Sequence, residues 1–192
     1  SLDEMMKIWN PARISKSPAI FDTLNLRAIN AEYIRRLPAE KFVELATPWI
    51  DSVVKSSIDK AILCGCLQPR CEVLSDIPEQ LDFIDEMPEY DVELYRNKKQ
   101  KTTPESAAEA LGVLLPLLEG VENWNRDAIF EACRAKAEEL GVKNGWMLYP
   151  LGVALSGKQR TPGGGTEMAA YLGKEKTLAR VKAAAEKLAG AQ

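Results

Sequence analysis

The sequence predicts an all-α fold, an assembly of short helices in two subdomains, and three observations carry that prediction. No window shows the sustained alternation of apolar and polar residues that marks a half-buried strand. Apolar residues recur instead at helical spacing, and Ser, Thr, Asp, Asn, Pro and Gly fall where such runs begin and end. No internal repeat is visible, so the helices do not read as a solenoid.

Leu2, Met5, Met6 and Trp9 predict a short amphipathic helix, stopped by Asn10-Pro11. Ser15-Lys16-Ser17 runs straight into Pro18-Ala19-Ile20-Phe21 and reads as structural. Asp22 is a good cap for a helix through Arg36, with Leu24, Leu26, Ile29, Tyr33 and Ile34 as its apolar side and Arg27, Arg35 and Arg36 in water. Pro38 starts the next helix, whose core stripe is Phe42, Leu45, Trp49 and Ile50. Another is expected from Ser56 to Leu67, ended by Pro69, with Arg70 at its carboxy-terminal edge. The acidic stretch beyond holds two short helices broken at Pro78 and Pro88. Arg96 to Lys101, RNKKQK, is a basic linker and sets the boundary between a first subdomain over 1–95 and a second over 96–192.

In the second half, Thr103 caps a helix with Pro104 at its first position and Gly120 at its end. Asn125 caps the next, with Trp124 and Ile129 as a hydrophobic staple and Gly141 as its close. After Asn144, Trp146, Tyr149 and Val153 share one side and Leu148, Leu151 and Leu155 another, which predicts a helix buried from two directions and loosened at Pro150. Gly157 to Pro162 then leads into Gly163-Gly164-Gly165. Thr166 is expected to cap a short helix with Glu167 in its first turn, Gly173 ends it, and Lys174 to Leu188 forms the last. A loop with Lys158, Arg160, Thr161 and three glycines on a helical frame offers cations and approachable backbone amides, which suits phosphates and base edges. A plain flexible turn is the other reading.

At 192 residues, with 46% hydrophobic and 28% charged content, the chain is long enough to bury a sizeable core. No apolar run approaches the roughly 20 residues of a membrane span. The first residues do not resemble a signal peptide, so a cytoplasmic location is expected, and the start without Met suggests a cut-out segment. Cys64, Cys66, Cys71 and Cys133 have the wrong rhythm for a zinc site and no histidine to complete one, so they read as small buried thiols, with no metal expected.

The absence of histidine also excludes Ser-His-Asp and Cys-His catalysis, and no G-x-x-x-x-G-K-[ST] loop occurs. A net charge of −3 argues against a generally sticky nucleic-acid binder, but the distribution is uneven. Cys71 to Tyr95 holds nine acids and no Lys or Arg, whereas Arg134 to Lys182 holds nine bases against four acids. That second excess is a candidate phosphate-facing surface, or else simply solvated helix faces.

The segment LYPLGVALSGKQRTPGGGTEMAAYLGKEKTLARV resembles the carboxy-terminal end of bacterial glutamyl-tRNA synthetases. That family's anticodon-binding domain ends in a Pro-Leu-Arg-like helix, a Ser/Thr-Gly, a Thr-Pro-Gly loop and Leu-Gly-Lys-Glu, in that order. ISKSPAIFDTLNLRAINAEYIRR extends the resemblance upstream, so it covers essentially the whole chain. The resemblance implies recognition of the tRNA-Glu anticodon stem-loop, attachment to the catalytic domain of the same polypeptide, no membrane, and a monomer. The His-Ile-Gly-His motif of class I synthetases cannot be present, so the resemblance places the catalytic Rossmann domain, with its ATP and Mg, outside this chain. By itself the chain should hold no cofactor and be inactive. Ser15-Lys16-Ser17 is similar to the Lys-Met-Ser-Lys-Ser loop that binds ATP, but its context gives it no such role.

Residue by residue, Arg70 in Gln68-Pro69-Arg70 falls where some members carry an arginine that reads the third anticodon base, and Arg134 matches a tRNA-contacting arginine. Tyr149 and Gly152 lie in the Pro-Leu-Arg-like helix, and Thr161 and Pro162 in the loop that approaches the anticodon bases. Tyr149 and Trp146 are either stacking platforms or core, with Trp146 read as core. Gly152 departs from the family, which usually has an arginine there; either Lys158 or Arg160 takes over the charge or the contact is absent. A glycine insertion lengthens the Thr-Pro-Gly loop. The alternative is a free-standing helical module that docks a protein through its acidic stretch.

Overall fold

The computed structural model describes residues 2–13 and 22–190; Ser15-Lys16-Ser17 lies outside the described residues. Ten α-helices occur among them: α1 (Leu2–Ile8), α2 (Thr23–Arg35), α3 (Ala39–Val53), α4 (Lys60–Leu67), α5 (Ile77–Gln80), α6 (Pro104–Glu119), α7 (Arg126–Glu139), α8 (Asn144–Ser156), α9 (Gly165–Leu172) and α10 (Lys174–Gly190). Short 3-10 turns at Gln68–Arg70, Leu74–Asp76 and Val92–Tyr95 fill the acidic middle. The β pairing among the described residues is one isolated bridge, Asn97 to Thr102, which closes the basic RNKKQK segment into a tight loop. The fold is all-α.

Helix starts follow side-chain chemistry. The Asp22 carboxylate accepts the amides of Leu24 at 3.0 Å and Asn25 at 3.1 Å. Thr103 and Ser106 form a reciprocal capping box with Pro104 in first place, and Asn125 accepts the Ala128 amide at 2.9 Å. At the far ends, Gly141 (φ +68°) and Gly157 (φ +64°) take the left-handed conformation that lets the chain leave α7 and α8. α8 runs through Pro150 without a break, its Met147, Leu151, Ala154 and Leu155 buried.

Five expectations need correction. The helix expected from Ser56 begins at Lys60, because the Asp59 carboxylate accepts the Ile62 amide at 3.0 Å while the Asp85 carboxylate holds Ser56 in an extended approach. Pro78 does not break a helix; it sits in the first turn of α5, where a missing amide is harmless. Thr166 does not cap α9: the cap residue is Gly164, whose amide donates to the Glu167 carboxylate at 3.0 Å, and Thr166 is buried inside the first turn. The fourth is α2. Its apolar side does not face the core, since only Ala31 and Ile34 are buried, and Leu24, Leu26, Ile29 and Tyr33 are exposed. Trp49, expected in the α3 stripe, is likewise partly exposed, while Phe42, Ala46 and Ile50 are buried.

α6 lies against α7, α8 and α10; α9 lies against α4, α7 and α8; and α3 lies against α4 and α5. The buried apolar residues form one cluster running from Ile34 to Leu188, across the RNKKQK loop. Arg180 fastens α10 to the rest from within. It is buried, and its guanidinium donates to the carbonyls of Leu155 (2.6 Å), Phe83 (2.8 Å) and Ile84 (2.7 Å). The α4–α9 contact brings Arg70, just beyond α4, next to the loop that leads into α9.

Candidate nucleic-acid interface

The loop from Gly157 to Gly165 is built by its glycines and by Glu167. Gly163 has φ +92°, and a Cβ there would stand 2.9 Å from Glu167 Cβ and 3.0 Å from Cys66 Sγ. Gly165 lies so close to α8 that a Cβ would stand 2.9 Å from the Leu148 carbonyl oxygen. Only glycine fits these two approaches. Thr161 Oγ1 donates to the Gly163 carbonyl at 2.9 Å and fixes the turn between them. Burial pushes the Glu167 carboxyl up, but hydrogen bonds from its own amide, the Arg126 guanidinium and the Gly164 amide outweigh it and hold it below the usual carboxylate range.

Against this loop a cavity of about 500 Å³ is lined by Arg70, Glu79, Gln80 and residues 158–163. A notch of about 160 Å³ adjoins it, sharing Lys158, Gln159, Thr161 and Gly163 and floored by Tyr149 and Gly152 of α8. A third depression, with Gln100, Arg126, Tyr149 and Glu167, continues past Gly164 and Gly165. Together they make one trough along α8 and its loop.

Arg70, Tyr149, Gly152, Lys158, Arg160, Thr161 and Pro162 all meet in that trough. Arg134 does not join them; it lies exposed on α7, held by Glu131 (2.6 Å) and Glu138 (2.8 Å). Arg70 Nη1 donates to the Thr161 carbonyl at 3.2 Å. The acids closest to it in sequence, Glu72 and Asp76, pair with Arg27 instead, an arginine expected in open water. Lys158 pairs with Asp82, whereas Arg160 is exposed on the rim and, among the described residues, makes no ion pair or hydrogen bond through its side chain. Tyr149 is half-buried, with its hydroxyl donating to the Leu94 carbonyl at 2.7 Å, and Trp146 packs against the core.

The broad basic face suggested by sequence is reduced. Besides Arg180, Lys174 donates to the carbonyls of Glu119 and Val121, and Lys176 to Ser56 and the Ile84 carbonyl. Lys136 pairs with Glu139. Sequence reasoning missed Glu79, Gln80, Gln100 and the structural part of Glu167. The last was findable, because a glutamate three residues after a cap position is a capping signature; the others enter only through tertiary contact. The cysteines are buried or half-buried, and burial pushes the Cys64, Cys71 and Cys133 thiols up to about 11.

The trough is rimmed by cations and walled by glycines on an all-helical frame, chemistry that suits phosphates and base edges. Residues 41–185 match the anticodon binding domain family, and the chain belongs to it. It is 43% identical over 189 residues to the glutamate–tRNA ligase of Clostridium acetobutylicum, and 45% identical over 192 residues to that of Clostridium botulinum strain Hall. These alignments cover 98% and 100% of this chain but only 39% and 40% of the relatives. The solved glutamate tRNA ligase of Elizabethkingia meningosepticum, in complex with its amino acid, shares the fold with a TM-score of 0.80 at 24% identity, over 98% of this chain and 37% of that one.

Proposed function

We propose that this chain is the part of a glutamate–tRNA ligase that receives the anticodon stem-loop of tRNA-Glu, with the trough beside residues 157–165 as its docking surface. The convergence of Arg70 with the loop supports this most: residues 91 positions apart are joined by the bond from Arg70 Nη1 to the Thr161 carbonyl. One of the guanidinium's five N–H groups is then engaged, and Arg70 lines the cavity. Unstacked bases find open backbone at Gly163 and Gly164 and the edge of Tyr149, while Arg160 attracts phosphate.

Arg70 is assigned the third anticodon base, C in glutamate anticodons and G in glutamine ones. A guanidinium can donate to either base, so discrimination needs a pocket shaped for the smaller pyrimidine, with Arg70 held by its bond to the Thr161 carbonyl. The acidic stretch is a weaker docking face for a protein, since Glu72, Asp76, Asp82 and Asp85 are each engaged by groups of the chain itself. Charging of tRNA, with ATP and Mg, belongs to the rest of the polypeptide. The residues present fit neither group: there is no phosphate-cradling loop, and among the described residues no three His, Cys, Asp or Glu side chains converge. The enzyme is assigned to the cytoplasm as a monomer.

Measuring Arg70→Gln against stem-loops carrying the two anticodons tests the reading. The expected outcome is loss of about 1–3 kcal/mol of preference for C over G, with binding of the glutamine loop retained. An unchanged preference would leave Arg70 a surface cation.

A further inference from the structure

Gln100 stands in the basic RNKKQK loop, which by sequence is only a linker, and its side chain reaches the trough. The loop is held from within. Asn97 Oδ1 accepts the amides of Lys99 (3.0 Å) and Gln100 (3.1 Å), and Asn97 and Thr102 exchange backbone bonds at 3.0 and 3.1 Å. The turn is tight enough to hold Lys101 in the left-handed region at φ +56°. From there the Gln100 side chain lies across Gly145 in the first turn of α8. A Cβ at 145 would stand 1.7 Å from Gln100 Oε1 and 2.7 Å from its Cδ, so the absent side chain is what makes room for this amide.

The depression that Gln100 lines has a volume of about 450 Å³. Its other polar side chains are engaged. Arg126 Nε donates to Glu167 at 3.1 Å, Thr166 Oγ1 donates to the same carboxylate at 3.2 Å, and the Tyr149 hydroxyl donates to the Leu94 carbonyl. Gln100, among the described residues, makes no hydrogen bond through its amide. Shared walls set an order along the trough. The Arg70 cavity shares Thr161 and Gly163 with the notch, and the notch shares Tyr149, Gly164 and Gly165 with the depression. A run of unstacked anticodon bases with its third member beside Arg70 therefore brings its first member to Gln100.

We propose that Gln100 hydrogen-bonds the Watson–Crick edge of the first anticodon base and serves U and C alike. The inference rests on the reading of the trough as the anticodon site with Arg70 at the third base. A primary amide presents an acceptor and a donor side by side in one plane. Toward U, its carbonyl accepts N3–H while its NH2 group donates to O4. Turned over by half a rotation, the same amide accepts from the N4 amino group of C and donates to N3. Glutamate anticodons begin with either pyrimidine, so one amide that turns over is matched to both. A carboxylate or a guanidinium in its place would offer only acceptors or only donors.

The test measures binding of three glutamate anticodon stem-loops whose first anticodon base is U, C or 3-methyluridine, which keeps the ring but cannot donate at N3. The unsubstituted protein is expected to bind the U and C loops about equally, and about tenfold more tightly than the methylated loop. Gln100→Leu should bring the U and C loops down to that weaker level and leave the methylated loop unchanged. Gly145→Ala displaces the amide without removing it and should weaken the same two loops by a smaller factor. An alanine suits the helix there, and circular dichroism checks that both variants fold. Three outcomes would overturn the proposal: no preference in the unsubstituted protein, a preference that Gln100→Leu leaves intact, or an equal loss for all three loops. In each of them, a third-base preference that responds to Arg70→Gln keeps the anticodon reading. Absence of binding to any loop by the unsubstituted protein removes that reading and the role of Gln100 with it.

Discussion

Gly152 and Gly163 look alike in the sequence and have opposite requirements. A methyl group on Gly152 would meet only Met168 Cε at 3.6 Å and the Gly165 amide nitrogen at 3.9 Å, both ordinary contacts, and the residue lies inside a helix. Gly152→Ala should therefore stabilise the chain by about 0.5–1 kcal/mol. Gly163→Ala should destabilise it by about 1–3 kcal/mol, because it adds a strained left-handed residue to two close contacts. Urea unfolding of the two variants checks the contrast, and a shared sign would refute it. Arg180 makes a similar point about charge. In the sequence it is one of nine bases in a basic segment; in the structure it is a buried tie to three carbonyls, its proton affinity lowered by burial. Arg180→Met should cost about 2–5 kcal/mol by leaving those oxygens unpaired, while stem-loop affinity per folded molecule stays unchanged. Nothing local distinguishes such an arginine from one in water, because its partners come from two distant segments.

Elements were legible where a side chain adjoins its own helix. Asp22, Thr103, Asn125 and Gly141 were placed from spacing because capping is a local exchange between neighbours. α2 shows the limit of periodicity: the pattern identifies an apolar stripe but not what covers it. At α9, the cap comes from a glutamate inside the helix rather than from the threonine before it, and this has a pH consequence. The folded Glu167 carboxyl is held below its ordinary value, so its contribution to stability is present above the usual carboxylate range near 4.5 and is lost as pH falls through the folded value. Glu167→Gln removes that contribution at neutral pH. As pH falls from 7 to well below 4.5, the melting temperature of the unsubstituted protein should fall further than that of the variant. Parallel losses would mean that the carboxylate is not coupled to folding.

At the scale of the whole molecule, the net charge of −3 leaves little general attraction for RNA, so affinity depends on the few cations the fold leaves available. Arg160→Glu should weaken stem-loop binding far more than Lys98→Glu with Lys99→Glu, although the double variant changes net charge more. The salt dependence should have a slope of about −0.7 to −0.9 per phosphate contact, with few contacts in all. Equal losses would indicate diffuse attraction rather than a site. The trough as a whole was only half legible: its cations and glycines stand together in the chain, whereas Arg70, Gln80 and Gln100 arrive from segments that no spacing rule connects.

The bond from Arg70 to Thr161 ends on a main-chain oxygen, and this governs how the recognition surface tolerates mutation. A guanidinium held by a side chain would lose its aim whenever that partner changed. Here the anchor survives any replacement at position 161 that keeps the turn, so the loop's side chains can drift or be redesigned for new base contacts while the arginine keeps its orientation. Selection at this site then falls on backbone shape, through Gly163, Gly165 and Glu167, more strictly than on the residue that Arg70 touches.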